Sequence, residues 1–569
     1  MTAKTYNTVR YGRFLILIAG FGGLLYGIDV GIIAAALLYL GKTVNLTVEQ
    51  TSIIVAAVLG GGMCSSLVAG VLADWFGRKK MMIVSGLMFV ASVGLIVISQ
   101  GFLPLLLGRL LQGASGGVIA VVVPLYLAEC LNAKHRGKGT VIFQFMLTVG
   151  IVIAALTGWY YTRGAEAAIV AAAGDPVLIR AAQNHAWRGM FLSVVYPGLI
   201  FLFGTFFLSE TPRWLFRRGK KEEALAALRR SSSEPEAQRQ LQEMEALAGE
   251  TQKNTEQGTT GSLLQRKYVI PFVLACIILA CNQTTGINSV LAFLVVILKQ
   301  AGMSARHATQ GDVAVKLLNC VMTLVAIAFV DKRGRKFLLK IGTSGIIVAL
   351  LSGALLFHSF ESKRVDVKQQ VQSAIDGNTV HLPVDEATFG SAVQGRPMAL
   401  TVLYSYGAGD NIVTVLSTDN DAMLRISPDA AAPTAPLVIR RASFGPVPTE
   451  NTGWLVMACL ALFIASFSIG PGVVVWIALS ELMPTRIRST GMGIAMLLNQ
   501  GISTLIAGVF LPVVGTYGYY AMFTFWALCT VVYFVTAAFF LPETKGKTLE
   551  EIEKHFEGSA QKQTLHQSL

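Results

Sequence analysis

Twelve apolar runs, each long enough to cross about 30 Å of hydrocarbon as a helix, constrain this chain more than anything else in it. They fall near residues 14–40, 51–73, 81–99, 103–130, 140–161, 189–208, 268–298, 313–330, 337–357, 454–480, 489–514 and 519–541. Hydrocarbon offers a peptide group no hydrogen bond, so each run must satisfy its backbone internally, as a helix does. The expected fold is an all-α membrane protein with twelve transmembrane helices. Composition agrees, because 53% of the 569 residues are hydrophobic and only 14% charged.

The net charge of +13 does not point to nucleic acid. Its lysines and arginines gather in short loops at span ends, at Arg78-Lys79-Lys80, residues 134–138, residues 332–336 and Arg486/Arg488, and alternate with loops poor in them. Basic loops stay on the cytoplasmic side, so both termini are expected there, in a multi-pass protein of the cell membrane, the inner membrane in a Gram-negative host. The seven cysteines lie in or at apolar runs with no CxxC pair, which suggests neither a disulfide framework nor a metal site.

Three motifs occur twice in the same order. Asp74-x-x-Gly77-Arg78-Lys79 returns as Asp331-x-x-Gly334-Arg335-Lys336, Glu129-x6-Arg136 as Glu481-x6-Arg488, and Ser209-Glu210-Thr211 as Pro542-Glu543-Thr544. Asp331 follows Asp74 by 257 residues, Glu481 follows Glu129 by 352, and Glu543 follows Glu210 by 333. A clean duplication would give equal offsets, so an extra stretch lies between Asp331 and Glu481 and a smaller one in the first half. The expected plan is two parallel six-helix halves. Residues 1–208 form the first bundle with an outer insertion at 162–188, and 209–267 a charged cytoplasmic linker of short helices. The second bundle takes 268–357 and 454–541, around an extracytoplasmic insertion at 358–453 whose alternating runs suggest a β-rich module. A cytoplasmic tail follows at 542–569.

Inside the seventh run, Asn282-Gln283-Thr284-Thr285-Gly286-Ile287-Asn288 places five polar side chains and a glycine where polarity is expensive. Such a cluster fits a helix that lines a cavity or breaks at Gly286, and we read it as the floor of a binding site. The alternative reading is hydrogen bonding between helices, for which six polar or small groups in these seven positions are more than packing needs.

These residues resemble the sugar porters of the major facilitator superfamily, along nearly the whole chain except the two insertions. The ordered set comprises Gly22-Gly23-x-x-Tyr26-Gly27-Ile28-Asp29, both Asp-x-x-Gly-Arg-Lys loops, Gly108-Arg109, residues 209–215, Gln283 to Asn288, Gly470-Pro471-Gly472-x3-Trp476 and residues 542–546. The resemblance implies the major facilitator fold and a substrate site built from Tyr26, Gln144, Asn282, Gln283, Asn288, Asn319, Gly472, Trp476 and Asn499. Physical chemistry agrees: an amide both donates and accepts, as a sugar hydroxyl does, and Trp476 offers a flat apolar face. The chain departs from the family at Ile28, at Asn282 for a second glutamine, at Ala292 and Phe293 for a tyrosine pair, and at Gln500 for a tryptophan, which leaves the particular sugar open. By the same resemblance, Asp74, Arg78, Glu129, Arg136, Glu210, Asp331, Arg335, Glu481, Arg488 and Glu543 form ion pairs of a cytoplasmic gate that break and re-form as the carrier turns.

Helix rise places Asp29 roughly 8 Å and Arg109 roughly 9 Å below the outer face, so the two should pair as a proton-coupling site. The expected function is a secondary active transporter, a proton-coupled symporter of a monosaccharide, hexose or pentose, by alternating access. A passive facilitator is the alternative, and a sugar receptor on a transporter-like body a further one. A pump is disfavoured, because Gly41-Lys42-Thr43 lacks the first glycine of a phosphate loop and falls at an outer span end; with neither HExxH nor GxSxG, no enzyme and no cofactor is expected. The expected partners are the monosaccharide, the proton and the lipid bilayer.

Overall fold

The structure, a computed structural model, is described over residues 3–130, 133–256, 266–390, 397–407, 409–417, 423–428, 435–482 and 488–543, and for side chains over the same residues except 3–9, 133–141, 247–256, 266–268, 331, 386, 476–481, 488–490 and 492. Twelve helices among them are long and apolar enough to cross a membrane. The first half comprises Ala3–Val44, Val48–Phe76, Arg78–Ile98, Phe102–Cys130, Ala133–Ala171 and a sixth span in two pieces, Pro176–Ser193 and Val195–Phe206. The second comprises Arg266–Thr284 with Ile287–Gln300, Ala305–Arg333, Arg335–Glu361, Glu450–Ile469 with Pro471–Leu482, Arg488–Tyr517 and Tyr519–Val535. The second span runs along the eleventh, the fifth along the eighth, and the first along the latter piece of the seventh.

Two spans break at glycines. Gly286 takes φ 83°, ends one helix and starts the next, and Gly470 precedes Pro471 at the break of the tenth. A side chain at Gly286 would run into the Trp526 ring, so the break is fixed by packing as well as by backbone freedom.

Residues 162–188, expected as an outer insertion, are mostly helical. The fifth span continues as helix through Ala171 and the sixth begins at Pro176, with a turn between them capped by Asp175, whose carboxylate accepts from the amides of Val177 and Leu178. Alanine-rich sequence such as residues 165–173 has high helix propensity, and it prolongs both spans into a hairpin instead of leaving the helix. The linker comprises helices Pro212–Arg217, Lys221–Ser231 and Glu234–Glu256, with a break at Ser232.

The large insertion is a β-module with an apolar core of its own, including Val380, Leu400, Val402, Leu424 and Phe444. Its strands are β1 (Val365–Asp366), β2 (Ile375–Asp376), β3 (Thr379–Pro383), β4 (Met398–Tyr406), β5 (Ile412–Ser417), β6 (Met423–Ile426) and β7 (Leu437–Pro446). They form antiparallel sheets ordered β1-β7-β4-β5 and β2-β3-β6. The module rises from the second half, where Arg441 donates to the carbonyls of Gly515 and Thr516, yet its β4–β5 turn reaches the first half. There the Asn411 amide donates to Glu49, the Val48 amide to the Asn411 carbonyl, and the Thr47 hydroxyl to Asp410. The insertion therefore contacts both halves.

The repeated motifs share one physical purpose. Glu210 accepts from the amides of Arg78 and Lys79 at the start of the third span, and Glu543 from those of Arg335 and Lys336 at the start of the ninth. A carboxylate there satisfies orphan N–H groups and complements the helix dipole. Glu361 does the same for Tyr519 and Tyr520 at the twelfth, on the opposite face. Each capped turn holds a glycine at φ between 88° and 98°, namely Gly77, Gly334 and Gly518. A Cβ on Gly334 would lie 2.6 Å from the Glu543 carboxylate. Gly77→Ala combines a disfavoured φ with a clash against Glu210 and should destabilise the protein by about 1–3 kcal/mol. A thermal melt of the purified variant that overlays the parent's would show this account of the turn to be wrong.

Candidate functional site

The break at Gly286 turns polar groups into the bundle. Asn282, Gln283, Thr285 and Ser289 are all buried. Gln283 donates from Nε2 to Asn499 Oδ1 at 3.1 Å, and Asn288 donates from Nδ2 to Gln283 Oε1 at 3.0 Å and to Ser503 Oγ at 2.7 Å. Asn499 in turn donates to the Leu279 carbonyl at 3.1 Å. Three of the expected site residues thus form one chain of amides between the seventh and eleventh spans. Asn319, on the eighth span, accepts from Ser468 at 2.6 Å. Asn282 Oδ1 is buried with no hydrogen bond among the described residues, an unused acceptor beside the cluster.

Gln144 and Tyr26 are half-buried on the first half, and the Tyr26 hydroxyl interacts with Gln500 across the interface. Gln500 occupies the position where the resemblance expects a tryptophan. Gly472 opens the second piece of the tenth span. The side chain of Trp476 lies outside the described residues. Where a tyrosine pair is usual, Phe293 is buried and stacks on Phe510 with centroids 4.5 Å apart, and Phe510 stacks on Trp526. This apolar stack has no hydroxyl to offer a ligand. On the module side of the bundle lies a separate cavity of about 570 Å3, lined by Lys42, Thr51, Gln300, Glu361, Arg364 and Tyr519. None of Gln283, Asn288 and Asn499 lines it.

Asp29 and Arg109 meet as expected, with Oδ1 and Nη1 3.5 Å apart and both side chains almost wholly buried. Small residues make this possible. Gly23, Gly27 and Gly31 bring the first span against the fifth, where a Cβ on Gly31 would lie 2.8 Å from Ala154 Cβ, and Gly116 leaves room beside Asp29 and Tyr26. Arg109 donates to Gln112 Oε1 at 2.7 Å and sits over the Phe191 ring. Neither Asp29 oxygen has a hydrogen bond among the described residues. The pair is a loose electrostatic contact, so the carboxylate is held near its partner without being locked to it.

In the first half the motif charges pair with one another. Arg78 Nη2 lies 2.7 Å from Asp74 and 2.9 Å from Glu129, whose other oxygen accepts from Thr211 at 2.5 Å. Glu210 and Glu543 cap the third and ninth spans, and Arg335 donates to the Val330 carbonyl. Burial pushes the Glu210 carboxyl up, against the pull of the Thr211, Lys79 and Arg78 amides. The expectation of pairs between the halves finds no instance among these described contacts. The side chains of Arg136, Asp331, Glu481 and Arg488 lie outside the described residues.

Sequence reasoning missed one pair. Asp312 and Lys316, one turn apart on the eighth span, form a fully buried ion pair at 2.8 Å. Two opposite charges at i and i+4 inside an apolar run were the available signal.

Comparison with known proteins follows the same lines. The chain matches the family model for sugar (and other) transporters over residues 15–372 and 437–556, the gap falling in the β-module. It is 27% identical over 552 residues to the glucose transporter GlcP of Staphylococcus epidermidis, covering 96% of this chain and 97% of the relative. It is 26% identical to the human proton myo-inositol cotransporter, covering 97% and 83%. Its fold resembles the E. coli xylose transporter XylE in a partially occluded inward-open conformation, with a TM-score of 0.65 at 20% identity over 94% of this chain and all of the other. The chain is therefore a multi-pass membrane protein with the major facilitator fold, and it belongs to the sugar (and other) transporter family.

Proposed function

We propose that the chain is a proton-coupled monosaccharide symporter that works by alternating access, with its linker face in the cytoplasm. The observation that carries this reading is Asp29, a buried carboxylate 3.5 Å from Arg109 with neither oxygen hydrogen-bonded among the described residues. An isolated buried carboxylate is costly unless paired or protonated, so a site that offers both options exchanges one for the other. Protonation of Asp29 from outside releases Arg109, and the loaded carrier closes and turns inward. The amides of Gln283, Asn288 and Asn499 release one another and take up the hydroxyls of a hexose or pentose, with Gln144, Tyr26, Asn282, Asn319, Gly472 and Trp476 around it. The gate residues stiffen each half as a rigid unit, and exchange of their partners between the halves accompanies the turn.

A passive facilitator is the second reading, favoured by the looseness of the 3.5 Å contact, which a static structural pair also tolerates. The two are separated in proteoliposomes holding the purified protein. Addition of substrate sugar should draw protons into the vesicles, and an imposed proton gradient should drive sugar uphill. Equilibration of labelled sugar with neither effect would establish the facilitator. The related inositol transporters make a cyclitol the comparison to include in the substrate panel.

A further inference from the structure

The buried pair Asp312–Lys316 is unused by the site above, and a membrane span does not carry two buried charges without reason. Both side chains are at most 1% exposed. Lys316 Nζ donates to Asp312 Oδ2 at 2.8 Å and, across the interface between the halves, to the carbonyl oxygen of Gly31 at 3.1 Å. Gly31 lies two residues beyond Asp29, in the helix segment that packs tightly on the fifth span, so its carbonyl moves with the first half as a unit. The depths match: Lys316 is 11 residues from the module-side start of its helix and Gly31 13 residues from the module-side end of its own, roughly 16 and 20 Å.

We propose that Lys316, neutralised by Asp312, is a charged latch that holds the module side of the two halves closed through the Gly31 carbonyl. The position also sees Ser52 accept from the Leu511 amide and the β4–β5 turn bind the loop before the second span, all on the module side. Opening that side must separate Gly31 from Lys316. An ammonium bonded to a carbonyl in a dry interface is stronger than a neutral pair, and leaving it unpartnered would be costly. Asp312 removes that cost. Its Oδ1 is buried and without a hydrogen bond among the described residues, so the Lys316 N–H released by the Gly31 carbonyl has an acceptor on the same carboxylate. The pair therefore keeps the charge neutral in both states while the bond across the interface exists in one. Lys316 acts here as a positioning residue for the turn, and the inference rests on the alternating-access reading.

The test uses Cys320, buried one turn further along the eighth span beside Thr148 of the first half, as reporter after replacement of the other six cysteines by serine. A membrane-impermeant maleimide is applied from the module side to vesicles of defined orientation. Lys316→Met alone leaves Asp312 uncompensated, so the decisive variant is Asp312→Asn/Lys316→Met, neutral and of similar volume. Loss of the latch should raise the labelling rate about tenfold. Lys316→Arg, which can still reach both acceptors, should label like the parent. Labelling of the double variant at the parent rate would overturn the latch, as would labelling of Lys316→Arg at the raised rate. Sugar counterflow by the parent in the same vesicles tests the transport reading separately, so failure of one is distinguishable from failure of the other.

Discussion

Asp29→Asn is expected to abolish uphill sugar accumulation while sugar exchange persists. Each tenfold of gradient requires about 1.4 kcal/mol, which a carrier obtains only by moving a second species downhill with the sugar. Asparagine keeps the size of the side chain and cannot take up and release a proton, so the accumulation ratio should fall to about one. The variant also leaves Arg109 buried without a counter-ion beside Phe191, which slows turnover and makes loss of rate alone uninformative. The reading is therefore taken from the ratio of internal to external sugar at steady state, together with counterflow of labelled sugar. Arg109 substitution should harm transport at least as severely, because it strands the Asp29 carboxylate. Accumulation by Asp29→Asn at the parent level would remove Asp29 from the coupling step.

The second large effect concerns the amides. Gln283→Ala and Asn288→Ala should each weaken sugar binding by roughly 0.5–1.5 kcal/mol per hydrogen bond lost, about two- to tenfold in Kd, without preventing folding. Trp476→Ala should do at least as much by removing an apolar face. The structure adds a constraint on the pair. Gln283 and Asn288 bond to each other before any ligand arrives, so removing both should cost less than the sum of the single losses, by about 0.5 kcal/mol or more. Titration of purified protein with a panel of monosaccharides gives the three constants. Parent-like affinity in all three single variants would mean that the sugar binds elsewhere.

The amino-acid sequence alone determined the architecture of this protein. Span number and the duplication of halves follow from local quantities, because a helix in hydrocarbon must satisfy its own backbone and a motif that recurs in order marks a repeat. The break at Gly286 and the contact of Asp29 with Arg109 were also legible, the first from a glycine among polar groups and the second from helix rise. The β-module was visible as alternating runs, and its strands at Met398–Tyr406 and Leu437–Pro446 bear that out.

What only the tertiary structure decided lies where residues far apart in the chain share a partner. The repeat offsets placed an outer insertion at 162–188 without giving its conformation, and helix propensity and the Asp175 cap make most of it helix. The motif carboxylates looked like gate charges, and folding shows Glu210 and Glu543 sealing helix ends as well, a role fixed by turn geometry. Asn411 on Glu49 and Lys316 on Gly31 join positions hundreds of residues apart. Spacing along a helix tells which residues share a face of that helix, but which face of another helix they meet is set by packing of the whole bundle.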